Sequence, residues 1–173
     1  MFGFGKKKKE ESQSEKKGTC PGAVLPEAEK PQLLEMKNIL LDCRAKSKEQ
    51  VIREMGQLLC DSGYVNESYG EAMLKRELSF PTNIGNGIAL PHGVEEAKKD
   101  IKHSGIAVMV FPEGTNWGSE DVKLVIGIAG VGEEHLEILS IIAERMSDPD
   151  AVLKVVSGSK EEIYRTFTGK GEV

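Results

Sequence analysis

Two stretches constrain the fold more than anything else in the chain. They are GIAVMVF at 105–111 and VKLVIGIAG at 122–130. Both are continuous apolar runs rich in β-branched residues, with no alternation of polar and apolar positions. A strand with one wet face alternates, whereas a strand covered on both faces does not. The sheet that contains them therefore needs helices on each side. The flanking segments can supply these. Residues 47–63, SKEQVIREMGQLLCDSG, carry Ser47 and Gln50 in capping-box spacing, an inward face of Val51, Met55, Leu58 and Leu59, and Gly63 as a stop. Residues 66–78 predict a second helix capped by Asn66, with Tyr69, Ala72, Met73 and Arg76 on one stripe. Residues 133–146 predict a third, with Leu136, Leu139, Ala143 and Met146 inward. Asp148-Pro149 opens a fourth, and Ser159 with Glu162 opens the last. A short strand is expected at 38–43, NILLDC. Strands alternating with helices predict an α/β fold, a mixed β-sheet sandwiched between helices.

The 173 residues suffice for one such domain. Aromatic residues make up only 5%, so its core is built mainly from Ile, Leu, Val, Met and Ala. Residues 1–31 are rich in Lys, Glu, Ser, Gly and Pro without periodicity, and predict a disordered tail ahead of a domain at 32–173. The opening MFGFGKKKK is either a solvated leader or at most a weak contact for an anionic membrane. Residues 1–30 hold seven Lys and five Glu, whereas the remainder holds 16 basic and 23 acidic side chains. That acidic body argues against nucleic acid and suits a basic protein partner. Cys20, Cys43 and Cys60 are widely spaced and odd in number, which predicts reduced thiols. No apolar run has the length of a spanning helix or a signal-peptide core, so a cytoplasmic protein is expected.

The segment GNGIALPHG at 85–93 delivers one histidine in an unusual frame. Gly85 and Gly87 permit tight turns, Ile88 to Leu90 has room for a short buried strand, and Pro91 stiffens the approach to His92. Gly93 leaves space beside the imidazole. The frame suits a nucleophile that a large partner must reach, although Gly/Pro clusters also mark ordinary turns, which leaves a surface-loop histidine open. His103 and His135 are the other two histidines. His135 follows the strand–glycine–helix junction GIAGVGEEH at 127–135, where a loop could offer amides to an anion. In the first turn of a helix, His135 is either a phosphoryl donor group or a capping residue. Metal-ligand spacing, a G-x-S-x-G elbow, a P-loop and a dinucleotide fingerprint are all missing from the sequence.

GIALPHG resembles the phosphorylation-site motif of the enzyme IIA domains of the bacterial phosphoenolpyruvate-dependent sugar phosphotransferase system, in its mannitol–fructose branch. The resemblance spans roughly residues 34–167. DSGYVNESYGEAMLKREL, FPEGTNWG, LVIGIAG and EEHLEIL are similar, in that order, to blocks of the mannitol type. The resemblance implies a mannitol-type IIA fold, with His92 as the phosphohistidine, His135 as the second active-site histidine and Arg76 as the active-site arginine. It implies a donor, the histidine phosphocarrier HPr, and an acceptor, a cysteine on the IIB domain of a mannitol permease. No metal or nucleotide cofactor is then required, because phosphoryl transfer is mostly positioning and charge stabilisation. The alternative within the same family is a regulatory IIA of the nitrogen-regulatory type, which signals through its phosphorylation state. A disabled scaffold fits poorly with Arg76, His92 and His135 all present. The sugar itself is not encoded in a chain of this kind.

Overall fold

The computed structural model describes residues 32–169. Five strands form one mixed sheet. They are β1 (Ile39–Leu40), β2 (Asn83–Gly85), β3 (Ile88–Ala89), β4 (Gly105–Asn116) and β5 (Asp121–Ala129), in the order β1-β4-β5-β3-β2. β1 runs parallel to β4 and β3 parallel to β5, while β4–β5 and β2–β3 are antiparallel. The helices α1 (Lys48–Asp61) and α2 (Tyr69–Ser79) cover one face. The helices α3 (Glu134–Arg145), α4 (Pro149–Ser157) and α5 (Lys160–Thr168) cover the other.

This three-layer arrangement explains the unbroken apolar runs. Along β4, Ala107, Met109 and Phe111 pack toward α1 and α2, whereas Ile106, Val108 and Val110 pack toward α3, α4 and α5. Each neighbour in the run belongs to a different core, so no position is left for a polar residue. The expected sandwich of a mixed sheet between helices is therefore what forms.

Local signals place the helices. Ser47 and Gln50 form the expected capping box, as do Ser159 and Glu162, and Asp148 accepts from the Asp150 amide ahead of Pro149. Gly63 adopts a positive φ of 79° just past α1.

Several details differ from expectation. The segment 38–43 yields only a two-residue strand, since Asn38 lies in a 3₁₀ turn and Asp42 takes a positive φ of 52°. α2 starts at Tyr69 with Ser68 as its N-cap; Asn66 sits one turn earlier and accepts the Tyr69 amide through its carbonyl. The buried stripe of α2 is Tyr69, Met73 and Glu77, with Arg76 half-buried beside it. In α3 the inward seam is Ile138, Ile142 and Met146, with Leu139 half-buried; Leu136 is 64% exposed and Ala143 is exposed. Its apolar residues spread over more than one face, with Leu136 and Ile141 exposed, so periodicity alone does not set its rotation. Cys43 is a free, half-buried thiol. Cys60 is buried and disulfide-bonded, which corrects the expectation of a reduced thiol there. Cys20 and the whole tail lie outside the described residues. No described helix is long and apolar enough to cross a membrane.

α1 and α2 touch through glycine. A Cβ on Gly56 would stand 2.6 Å from the Gly70 Cα, against backbone that has nowhere to go. Gly56→Ala is therefore expected to destabilise the domain by about 1–3 kcal/mol through forced separation of the two helices. Chemical denaturation followed by the fluorescence of Trp117, the single tryptophan, measures this; an unchanged midpoint contradicts the close contact.

Candidate functional site

The site is built on β3 and its exit. Gly85, Asn86 and Gly87 all have positive φ, of 88°, 55° and 73°. Asn86-Gly87 forms the two-residue turn of the β2–β3 hairpin, where Gly85 pairs with Ile88, and positive φ at both positions suits such a turn. The Gly87 carbonyl then accepts from the Lys123 and Leu124 amides, which draws β3 alongside β5. Ile88 and Ala89 are fully buried. The Leu90 amide donates to the Thr82 carbonyl at 3.0 Å and the Ile128 amide to the Pro91 carbonyl at 2.9 Å, and His92 bridges to Ile128 in parallel sense. The histidine thus sits three residues past the end of a short strand, still tied to the central strand.

Its ring is oriented as well. Nδ1 lies 2.8 Å from the Leu90 carbonyl oxygen. A carbonyl has no proton to give, so Nδ1 carries the hydrogen and donates it. In the neutral ring this leaves the lone pair on Nε2. The space left by Gly93 is not open beside the imidazole, as expected, but filled by the Tyr69 ring. A Cβ there would meet the ring carbon Cε2 at 2.6 Å. The Gly93 amide donates to the Tyr69 hydroxyl at 2.9 Å, and that hydroxyl donates to the Ile128 carbonyl at 2.8 Å. Burial pushes the Tyr69 phenol up to about 12, so it stays neutral.

His135 arrives from the opposite layer. It is the second residue of α3, packed so closely on the β5 exit that a Cβ on Gly130 would meet its Cα at 2.5 Å. The rings of His92 and His135 stand 5.4 Å apart between centroids. The loop between them does less for an anion than its glycines suggest. The Val131 amide is taken by the Ser104 hydroxyl, and those of Glu134 and His135 by the carbonyls of Val131 and Gly132. What the loop delivers is the His135 side chain.

Arg76 reaches the same place from the last turn of α2. Its Nη1 donates to the Phe80 carbonyl at 2.8 Å, which fixes the guanidinium at the helix end. Arg76, His92 and His135 line one cleft of about 350 Å³, with Lys98 and Glu95 at its rim. All three expected residues are therefore brought together, and the exposed His103 is not among those that line the cleft.

Sequence reasoning missed Glu77. It is 4% exposed and accepts from the Thr82 amide and hydroxyl and from Trp117 Nε1 at 3.0 Å, with Lys48 Nζ 3.4 Å away. Through Thr82 it holds the residue that pairs with Leu90. An acidic residue in line with Tyr69 and Met73, at i+8 and i+4, was the available signal, because a carboxylate on an apolar stripe must find partners.

Both histidines are held below their ordinary range. For His92 the main cause is desolvation; the Leu90 carbonyl works against it, Arg76 adds to it, and Glu77 opposes it. For His135 desolvation again leads, with His92 and Lys98 adding to it. Neutral imidazole is therefore the resting state near neutral pH, a nucleophile on one side and an N–H donor on the other. A guanidinium, an ammonium and two imidazoles around one cleft suit a group that carries negative charge on several oxygens.

Residues 32–170 match the family described as "Phosphoenolpyruvate-dependent sugar phosphotransferase system, EIIA 2". The chain is 41% identical over 138 residues to the mannitol-specific phosphotransferase enzyme IIA component of Halalkalibacterium halodurans, covering 80% of this chain and 95% of that one. It is 45% identical over 131 residues to the protein of the same name from Geobacillus stearothermophilus, covering 75% and 90%. Among solved structures it is similar to the complex of enzyme IIAMTL and phosphorylated enzyme IIBMTL from Escherichia coli. There the TM-score is 0.74 at 33% identity, covering 80% of this chain and all of that one.

The depressed histidines give a pH signature. The unfolded chain takes up these protons near pH 6.5, and the folded one only at lower pH. Stability is then fully present above pH 6.5 and declines as pH falls toward the folded values. Ring-proton NMR is expected to show both His92 and His135 titrating below 6.5, with the unfolding midpoint falling in step. A titration midpoint at or above 6.5 for either ring contradicts the desolvated site.

Proposed function

The chain belongs to the EIIA 2 family of the phosphoenolpyruvate-dependent sugar phosphotransferase system, and on that premise we propose that it carries a phosphoryl group on His92. The observation that bears most weight is the Nδ1 contact with the Leu90 carbonyl, which leaves Nε2 as the nucleophile in a cleft shared with His135 and Arg76. In the first step the Nε2 lone pair attacks phosphorus of the phosphohistidine on HPr. The new P–Nε2 bond forms as the donor's P–N bond breaks, and the electron pair returns to the donor imidazole. The positive charge that develops on the His92 ring is shared through Nδ1–H with the Leu90 oxygen. Arg76 and His135 donate to the phosphoryl oxygens and hold the group in line between the two nitrogens. In the second step a cysteine thiolate of a IIB domain attacks the same phosphorus, a P–S bond forms, and His92 Nε2 regains its lone pair.

The surroundings support two large partners. Phe80, whose carbonyl holds Arg76, and Val131 and Leu136, which flank His135 in the chain, are apolar and exposed. They offer the apolar contacts of a docking face beside an acidic body that suits a basic donor. The mannitol-specific names of the relatives and the IIA–IIB complex support a IIB domain of the mannitol type as acceptor, and cytoplasmic action follows from a donor of that kind. The carrier unit is residues 32–173.

His92→Ala is expected to accept nothing from phospho-HPr while remaining folded; full labelling of that variant by radioactive phosphoenolpyruvate, enzyme I and HPr sinks the assignment. His135→Ala is expected to slow single-turnover transfer to IIB by on the order of 10²-fold, the usual cost of one lost oxyanion donor. Arg76→Lys keeps the charge but cannot cap Phe80 and face the phosphoryl group together, so its transfer is also expected to be slow; wild-type rates refute the role. Removing residues 1–31 is expected to leave transfer in solution intact when truncated and full-length chains are compared under reducing conditions, and a rate lost only on truncation would move the domain boundary.

A further inference from the structure

Tyr69 enters none of these steps, yet its hydroxyl occupies an unusual place. The residue is 2% exposed, begins α2 and lines the cleft. His92 is bridged in parallel to Ile128, with the Ile128 amide bonded to the Pro91 carbonyl. A regular parallel ladder continues with the next amide, that of Gly93, donating to the Ile128 carbonyl. Here both groups bond the Tyr69 hydroxyl, at 2.9 and 2.8 Å. A phenol oxygen is inserted into the ladder at the rung that follows the histidine. Gly93 is glycine for the same reason, because the Tyr69 ring fills the place of its Cβ.

From this geometry, and resting on the carrier reading of His92, we infer that Tyr69 is the positioning residue of phosphoryl transfer. Its hydroxyl spaces the chain after His92 away from β5 and so sets where Nε2 stands relative to His135 and Arg76. The proton inventory is complete: the hydroxyl accepts one hydrogen from Gly93 and gives its own to Ile128, with nothing to spare for the phosphoryl group. Tyr69 therefore acts through the backbone of His92 and never on the substrate. Without the hydroxyl, Gly93 either closes onto Ile128 or loses its partner, and either outcome moves the nucleophile. A misplacement of about 1 Å can cost on the order of 10²-fold in rate.

The test uses the full chain with Tyr69→Phe. Phosphorylation by phospho-HPr is expected to show kcat lowered about 10- to 100-fold with KM for the donor unchanged. The ring-nitrogen NMR shifts of His92 are expected to move, while Trp117 fluorescence reports a folded domain. Gly93→Ala, which pushes on the same ring, is expected to give the same two signatures and carries the test should Tyr69→Phe fail to fold. The double variant is expected to lose less than the sum of the two. Wild-type kcat together with unmoved His92 nitrogens overturns the inference. Failure of the carrier reading looks different: the wild-type protein then forms no phosphohistidine, and the nitrogen shifts in the variants still decide whether Tyr69 places the ring.

Discussion

The site depends on where one residue of the central strand puts its peptide groups. The Ile128 amide holds Pro91, its carbonyl holds Tyr69, and His92 bridges to it between those two bonds. β5 is a secure place for such an anchor. It is paired on both edges, to β4 and β3, and its residues pack into cores on both faces. The histidine inherits that rigidity although only two residues of β3 precede the loop that bears it. Rigid placement matters here because phosphoryl transfer asks little of the protein beyond geometry and charge.

Charge is arranged with the same economy. Two imidazoles 5.4 Å apart cannot both be cationic in a half-buried cleft without mutual repulsion, and desolvation already favours the neutral ring at each. The cleft therefore presents two uncharged rings, with the lone pair of His92 on Nε2. Arg76 supplies the permanent positive charge, steadied by the carbonyl of Phe80 at the end of its own helix. The buried carboxylate of Glu77, one residue further on, is bonded to Thr82 and Trp117, with the Lys48 ammonium 3.4 Å away.

Much of this was legible in the sequence, for identifiable reasons. Continuous β-branched runs require two covered faces, and caps such as Ser47–Gln50 and Asp148-Pro149 act within a few residues, so both survive translation into structure. Arg76, His92 and His135 could be named because the motif around His92 and the later blocks resemble one family. What escaped was decided over long distances. The rotation of α3 could not be read because its apolar residues occupy more than one face, and its phase is fixed by packing on the sheet. The Tyr69 hydroxyl looked like part of an apolar stripe, since no local signal says that a ring will meet a glycine 24 residues later. The hairpin at Asn86-Gly87 was readable in principle from its dipeptide, but its three-residue strand is too short to show alternation.

The parallel pairing of β3 with β5 has a consequence for how the protein comes into being. A chain is made from its N-terminus, so residue 92 leaves the ribosome before residues 121–129 exist. At that moment His92 has been synthesised but its seat has not, and the imidazole of His135 is still 43 positions away in the message. The cleft that Arg76, His92 and His135 line can therefore form only once β5 and the start of α3 have been made and the sheet has closed around its middle.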